Sequence, residues 1–144
     1  MNMTKIRHHA DKAAVLFLCG AVGYAGIEMI WRGHTHWTMA VLGGALFLLI
    51  GGLNNWISWE MPLWLQCICG ASIVTDAEFV AGLILNVWLK LKIWDYSSIP
   101  GNVLGQICPQ YTLAWLGLSL VAIILDDWLR YLLFDEDRPH YWLF

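Results

Sequence analysis

Long apolar segments dominate this 144-residue chain and decide what it can fold into. Residues 13–31, 37–53 and 109–133 each come close to the ~20 apolar residues that an α-helix needs to cross a ~30 Å hydrocarbon layer. Apolar residues make up 59% of the chain and charged residues only 13%, whereas a water-soluble domain carries about a quarter charged residues. The sequence therefore predicts an integral membrane protein with an all-α, polytopic helical bundle.

Residues 62–91 form an apolar stretch that is too long for a simple span. One α-helix of this length would measure roughly 45 Å at 1.5 Å per residue, which exceeds the hydrocarbon thickness. The favoured arrangement has four spans, in which this third helix is strongly tilted or broken. A five-span alternative would turn at residues 75–78. Glu60, Pro62 and Gln66 make the additional span a poor one, so they favour four spans.

The chain is predicted to be a single transmembrane domain over residues 1–144, with charged ends. Three basic residues mark an N-terminal segment at 1–12, and three acids mark an acidic tail at 134–144. The first apolar segment lacks a good cleavage site for a signal peptide, so we expect it to be a retained first span. With a cytoplasmic N-terminus, the positive-inside rule fits four and five spans equally well.

Composition and motifs exclude several function classes. The net charge of −3 comes without a basic stripe, so we expect no nucleic-acid partner. The chain has no P-loop motif and no hydrolase or zinc-protease motif, so we expect no enzymatic activity and no cofactor. The four cysteines lie in or beside apolar segments, where they serve as small apolar side chains, and their spacing predicts no metal site.

Glu28 and Arg32 stand four residues apart near the end of the first span, a spacing that places them on one helix face. One interpretation is an ion pair that anchors the helix end at the membrane interface. The other turns Glu28 into the bundle, where it binds a cation or a polar solute. Ionisable groups at membrane depth are costly enough to indicate function.

Asp76 and Glu78 lie two apart inside the third segment and would point to nearly opposite faces of a continuous helix. Thr75-x-x-Glu78 matches a capping box, which predicts that Thr75 begins a new helical segment whose free N–H groups receive the carboxylates. Gly82, four residues beyond Glu78, predicts that Glu78 turns to the interior. Asp76 is then expected to contact backbone N–H groups or water. The alternative is a polar site within the bundle.

Residues 93–108 connect the third and last segments. Pro100 and Gly101 predict a tight turn, and a plain connecting loop explains most of the stretch. Asn102 and Gln106 stand among apolar residues, which indicates that the loop dips back toward the bundle. Non-helical backbone survives at that depth only when it is buried in protein or lines a cavity.

Glycines mark the faces where helices can approach each other closely. Gly20, Gly23 and Gly26 line one side of the first segment, and Gly44 and Gly51 recur on the second. Small-residue faces of this kind favour helix packing inside a bilayer. Because four short spans enclose little volume and glycine faces remain for a partner, we predict a homo-oligomer.

Two strings of residues resemble a known family. They are Glu28-Met29-Ile30-Trp31-Arg32-Gly33 in the first half, and Thr75-x-x-Glu78-x-x-x-Gly82, Asn86, Trp94-Asp95-Tyr96-Ser97, Pro100, Asn102 and Gly105-Gln106-Ile107-Cys108 in the second. Over roughly residues 20–125 the chain resembles the ABC-transporter type IV, or CmpB-like, permease family. The resemblance implies a small bacterial multi-span membrane protein, and an ABC importer would need an ATPase from another chain. We expect the chain in the bacterial cytoplasmic membrane with its N-terminus inside. Gly101 departs from the family, whose members more often have an aromatic residue there.

The main hypothesis is a permease-like membrane component that binds or passes a small polar solute or ion as a homo-oligomer. The alternative is a membrane scaffold or interaction protein without transport, and a small ion channel is a weaker alternative. The candidate residues for solute or ion binding are Glu28, Asp76, Glu78, Asn86, Asp95, Asn102 and Gln106. The candidate structural residues are Arg32, Gly33, Thr75, Gly82, Trp94, Tyr96, Ser97 and Pro100.

Overall fold

The computed structural model describes residues 9–53 and 61–141, and every regular element in them is helical. Helix α1 spans His9–Arg32, α2 spans Trp37–Gly51, α3 spans Leu63–Gly82 and α4 spans Pro109–Phe134. A π-helical segment, Leu83–Trp88, continues α3. The predicted all-α bundle is confirmed.

Three of these helices are long and apolar enough to cross a membrane: Asp11–Arg32, Leu63–Trp88 and Pro109–Phe134. Helix α2 is apolar but has only 15 residues, fewer than the ~20 of a full span. The sequence predicts this segment at 37–53, and residues 54–60 after it lie outside the described part of the chain. The same holds for most of the basic segment 1–12.

The predicted helix start at Thr75 is wrong. Thr75 lies in the middle of α3, which continues without a turn through residues 75–78, so the five-span alternative is not adopted. A break inside hydrocarbon would leave backbone N–H and C=O groups without partners, and one capping side chain satisfies too few of them. The Thr75 hydroxyl instead lies 3.2 Å from the Thr112 hydroxyl of α4, so it joins two helices.

The third span changes its hydrogen bonding later, after Gly82. Within the π-helical segment and just beyond it, the Leu89 N–H donates to the Ile84 carbonyl at 2.9 Å and the Leu91 N–H donates to the Leu85 carbonyl at 2.8 Å. π-helical turns within α-helices often occur at functional sites. The irregular part of the third span therefore lies next to the loop that follows it.

The contacts divide the chain into two compact units. Of the described residues, unit one contains 9–53, Met61 and 122–141, and unit two contains Pro62–Val121. Helix α4 runs through the boundary. The single-domain organisation predicted for residues 1–144 stays a prediction.

Glycines allow α1 and α2 to pack closely in unit one. An added Cβ at Gly20 would overlap Phe47, and one at Gly44 would lie 2.8 Å from the Phe17 ring and its backbone oxygen. Gly23 and Gly26 have open space around them. Part of the predicted glycine face therefore packs within the chain, and part of it remains exposed.

Candidate functional site

The loop between the third and fourth helices, residues 89–108, is held together by its own side chains. Asn102 donates from Nδ2 to the carbonyls of Ser97 at 3.2 Å and Ile99 at 2.8 Å, and its Oδ1 accepts from the Gly105 N–H at 2.9 Å. Gly105 has a φ of +73°, and an added Cβ there would lie 2.7 Å from the Ser97 hydroxyl. Only glycine fits this position without strain.

Asp95 contributes to the same loop from its exposed surface. Its Oδ1 accepts from the Ser97 N–H at 2.9 Å and also from the Ser97 hydroxyl. These hydrogen bonds, the hydroxyl first, hold the pKa of Asp95 below its usual value, because they favour the ionised carboxylate. Asp95 therefore closes a short turn of the loop.

Asn86, in the π-helical segment, connects the third span to the loop. Its Oδ1 accepts from the backbone N–H groups of Ile93 at 2.7 Å and Trp94 at 3.4 Å. Its Nδ2 donates to the Gln106 side-chain oxygen at 2.9 Å. The loop thus returns to the helix at Asn86.

Gln106 lies buried at this junction, as the sequence predicts for a loop that dips back. Its Nε2 donates to the Leu104 carbonyl at 2.9 Å, and its backbone carbonyl accepts from the Trp94 indole N–H at 3.0 Å. Gly82 of α3 faces it, since an added Cβ there would overlap the Gln106 side chain. The sequence predicts close packing at Gly82, and in the structure its packing partner is the Gln106 side chain of the loop.

Glu78 brings α3, the loop and α4 together. Its Oε1 accepts from the Tyr96 hydroxyl at 2.8 Å, and its Oε2 accepts from the Trp115 indole N–H at 3.0 Å. The residue is only 5% exposed. The Tyr96 ring stacks on Tyr111 at a centroid distance of 4.7 Å, which fixes the position of its hydroxyl.

The prediction that Glu78 turns to the interior is therefore confirmed, although the predicted cap that motivated it is wrong. We call Glu78, Tyr96, Tyr111 and Trp115 the Glu78 cluster. Two aromatic side chains of this cluster, Tyr96 and Trp115, donate hydrogen bonds to the Glu78 carboxylate and carry no charge. The arrangement suits a negative charge that is kept away from bulk water.

Asp76 lies on the exposed side of α3. It lies mid-helix, so the predicted contact with free backbone N–H groups of a first turn is wrong. Glu28 and Arg32, in unit one, form an ion pair with a nitrogen–oxygen distance of 3.6 Å. Glu28 is also buried, so the ion pair of the first interpretation and the inward-facing Glu28 of the second are both present, and the binding of a cation or a polar solute by Glu28 stays a prediction.

A second polar group, in unit one, was missed from the sequence. Asp126 of α4 is 0% exposed, and its Oδ2 accepts from the Arg130 Nε at 2.6 Å. Lys12 and Arg130 both pair with Glu136, so the charges of α1, α4 and the following segment form one network. The i, i+4 spacing of Asp126 and Arg130 in an apolar helix was the available signal.

Asp127 is buried beside this network. The Tyr141 hydroxyl donates to its Oδ2 at 3.0 Å, and burial raises the pKa of Tyr141. In residues 9–53 and 61–141, no group of three or more His, Cys, Asp or Glu side chains is placed to hold a metal ion. Unit one therefore presents paired charges, whereas unit two presents the Glu78 cluster.

Comparison with known proteins gives a family match. The model of the family described as "Putative ABC-transporter type IV" matches residues 14–135. No curated protein and no solved structure matched the chain. The matched range includes every candidate residue from Glu28 to Gln106.

Proposed function

The chain belongs to the ABC-transporter type IV (CmpB-like) family, and on that premise we propose that it is a permease-like component of the membrane. In this proposal it binds or passes a small polar solute or ion through its helical bundle. It acts without a catalytic step of its own, and a separate ATPase subunit supplies energy. It resides in the bacterial cytoplasmic membrane with its N-terminus inside.

The observation that carries the proposal is the burial of Glu78 within a membrane span. A carboxylate at that depth is costly, and such groups in membrane proteins mark ion and substrate pathways or proton relays. Tyr96 and Trp115 hold both oxygens through uncharged donors. A cation or a polar solute can compete with these donors for the same oxygens.

Oligomerisation forms part of the same proposal. Gly23 and Gly26 of α1 and Gly117 of α4 are exposed, and no side chain of the described residues lies within 4 Å of the Cβ that each lacks. Exposed small residues in a span allow another helix to approach closely. They support a homo-oligomer, in which further copies complete the bundle.

A scaffold without transport is the second candidate, and the loop favours it. The polar side chains of Asn86, Asn102 and Gln106 hydrogen-bond within the loop and its junction with the third span. Side chains engaged in this way stabilise a surface, which is what an interaction protein needs. Ligand binding at Glu78 separates the two candidates.

The test is a ligand-dependent thermal shift of the purified full chain in nanodiscs. The panel contains chloride salts of Na⁺, K⁺, ammonium and choline at one ionic strength, and neutral polar solutes. A true ligand at about 100 times its Kd adds about 2.7 kcal/mol of stability. We expect one panel member to raise the melting temperature of the wild type and of Asp137→Asn, an exposed tail acid, but not of Glu78→Gln.

Absence of a shift with every panel member would contradict the permease proposal and support the scaffold. An equal shift in wild type and Glu78→Gln would remove Glu78 from the site. Flux of the stabilising ion into vesicles that contain only this chain would show that no ATPase is needed. Flux that appears only with an added ATPase subunit would support the proposal that a separate subunit supplies the energy.

A further inference from the structure

Each oxygen of the Glu78 carboxylate has its own hydrogen-bond partner, and the two partners differ in one chemical property. Oε1 lies 2.8 Å from the Tyr96 hydroxyl, and Oε2 lies 3.0 Å from the Trp115 indole nitrogen. A tyrosine hydroxyl can donate or accept a hydrogen bond, whereas an indole N–H can only donate. All three side chains belong to unit two, so the arrangement is internal to that unit. The two oxygens are therefore not equivalent as sites for a proton.

A proton fits on Oε1 without movement of either oxygen atom of that hydrogen bond. In the structure the Tyr96 hydroxyl donates to Oε1. With a proton on Oε1, the new O–H donates to the Tyr96 oxygen and the tyrosine hydrogen turns away, and the same separation suits an O–H···O bond in both directions. A proton on Oε2 would instead put an O–H where the Trp115 N–H needs an acceptor. The geometry therefore favours Oε1 over Oε2.

We propose that the ion bound by Glu78 is a proton, which is taken up on Oε1 through the Tyr96 hydroxyl. The inference rests on the permease-like function proposed above, since it names the ion of the same site. In the transfer, Tyr96 passes its hydroxyl proton to Oε1 and receives one proton from a hydronium ion, which leaves as water. The tyrosine ends neutral, and the carboxylate ends as a carboxylic acid that no longer offers a charge to a solute.

A proton suits this site better than a metal ion does. Ca²⁺ takes about six to eight oxygen ligands, and Mg²⁺ requires an octahedron. In the described ranges, 9–53 and 61–141, no group of three or more His, Cys, Asp or Glu side chains is placed to supply them. A proton needs one oxygen with an acceptor beside it, which Glu78 and Tyr96 provide. Its uptake also removes a charge within the span Leu63–Trp88, where a neutral carboxyl group costs far less to bury than a carboxylate.

The neighbouring titratable groups can be separated from Glu78. Tyr96 of the loop hydrogen-bonds it, and Tyr111 of α4 stacks on Tyr96. The other titratable side chains of the third span and the loop make no hydrogen bond or ion pair with Glu78: Cys67, Cys69, Asp76, Lys90, Lys92, Asp95 and Cys108. A carboxylic-acid signal that depends on Glu78 therefore reports Glu78 itself.

Infrared difference spectroscopy of the full chain in nanodiscs tests the proton. Lowering the pH should produce a carboxylic-acid C=O band in the wild type that is missing from Glu78→Gln. Asp137→Asn is the matched control, because Asp137 is an exposed acid of the tail, and it should keep the band. The absence of any Glu78-dependent acid band, or a band that is the same at every pH, would overturn the proposal.

The frequency of the C=O band tests which oxygen carries the proton. With the proton on Oε1, the C=O oxygen is Oε2, and the hydrogen bond from Trp115 weakens that double bond and lowers its frequency. Trp115→Phe should therefore raise the frequency, whereas Tyr96→Phe should leave it nearly unchanged. Any other pattern would overturn the assignment to Oε1. Both variants keep Glu78, so this test does not depend on the folding of Glu78→Gln.

The pH dependence of ligand binding separates this inference from the permease proposal. A panel ligand that stabilises the wild type should do so less as the pH falls through the midpoint of the infrared band, because proton and ligand compete for Glu78. A thermal shift that is independent of pH would overturn the competition. A Glu78-dependent band without any thermal shift would contradict the permease and support the proton site. A thermal shift without the band would support the permease and overturn the proton site.

Discussion

Units one and two each bury a carboxylate in a membrane helix, and they satisfy it in different ways. In unit one, Asp126 pairs with Arg130 one turn away on the same helix. In unit two, Glu78 accepts hydrogen bonds from Tyr96 in the loop and Trp115 in α4. The first carboxylate is neutralised locally, whereas the second is held by uncharged donors from two other elements.

This difference indicates which carboxylate can exchange its present partners for a bound ligand. Separating a buried ion pair leaves an uncompensated charge, at a cost of about 3–5 kcal/mol. A hydrogen bond from an uncharged group to a charged one contributes about 1.5–3 kcal/mol and can be replaced by another ligand. Asp126 therefore suits a structural role, and Glu78 suits binding.

The largest expected effect is at the unit-one ion pair. Arg130→Leu should destabilise the protein by about 3–5 kcal/mol, because Asp126 is left charged and buried. Asp126 already has one oxygen without a hydrogen-bond partner in the described residues. Unfolding in detergent gives the free energy, and the double variant Asp126→Leu, Arg130→Leu should recover much of the loss. A small loss in the single variant would show that the pair is not buried in the membrane-embedded protein.

Substitutions in the Glu78 cluster should destabilise the protein less than Arg130→Leu does, and Tyr96→Phe less than Glu78→Ala. Tyr96→Phe removes one donor and should cost about 1.5–3 kcal/mol. Glu78→Ala leaves the Trp115 N–H and the Tyr96 hydroxyl without this acceptor. Each buried donor that loses its acceptor costs ~1–3 kcal/mol, so the substitution should cost about 2–4 kcal/mol. Asp137→Asn should stay within about 0.5 kcal/mol. If Glu78→Ala proved as stable as this control, the cluster would have no role in stability.

The loop offers a smaller and more local effect. Gly105→Ala should cost about 1–3 kcal/mol, because its positive φ and the nearby Ser97 leave no place for a Cβ. Gly117→Ala, measured in monomeric protein in detergent, is the control, since Gly117 lies in a helix with open space beside it in the single chain, and it should stabilise α4 by about 0.5–1 kcal/mol. The same unfolding measurement gives the free energy of both variants. A change of the same sign in both would contradict the described loop.

Part of this picture could be predicted from the sequence. The four helical segments follow from apolar runs of span length, and Gln106 revealed the returning loop because a polar residue among apolar ones needs partners. The predicted helix start at Thr75 was wrong because a capping pattern describes water-exposed helix ends. In the bilayer, backbone hydrogen bonds stay inside the helix. The pairing of Lys12 with Glu136 could not be predicted, since these residues are distant in sequence and only the fold brings them together.

The smallest effect is the pH dependence of the loop. The pKa of Asp95 is lowered by Ser97 in the folded protein, so its contribution to stability is present above the unfolded pKa of about 3.9. That contribution is lost as the pH falls through the lower folded pKa. Ser97→Ala should therefore destabilise the protein slightly at neutral pH and not at all at pH values below both pKa values. Thermal melts across this range check it, and a Ser97→Ala deficit that is independent of pH would exclude Asp95 as its cause.

The central claim is that the Trp115 indole N–H donates to a buried Glu78 carboxylate. Nuclear magnetic resonance of the protein with labelled tryptophan indole nitrogens observes this donor directly, and Trp115→Phe assigns its signal. We expect the Trp115 N–H to be protected from exchange with water and to shift strongly in Glu78→Gln, while the exposed Trp37 stays unchanged. A Trp115 signal that Glu78→Gln leaves in place, or that exchanges as fast as Trp37, would contradict the account.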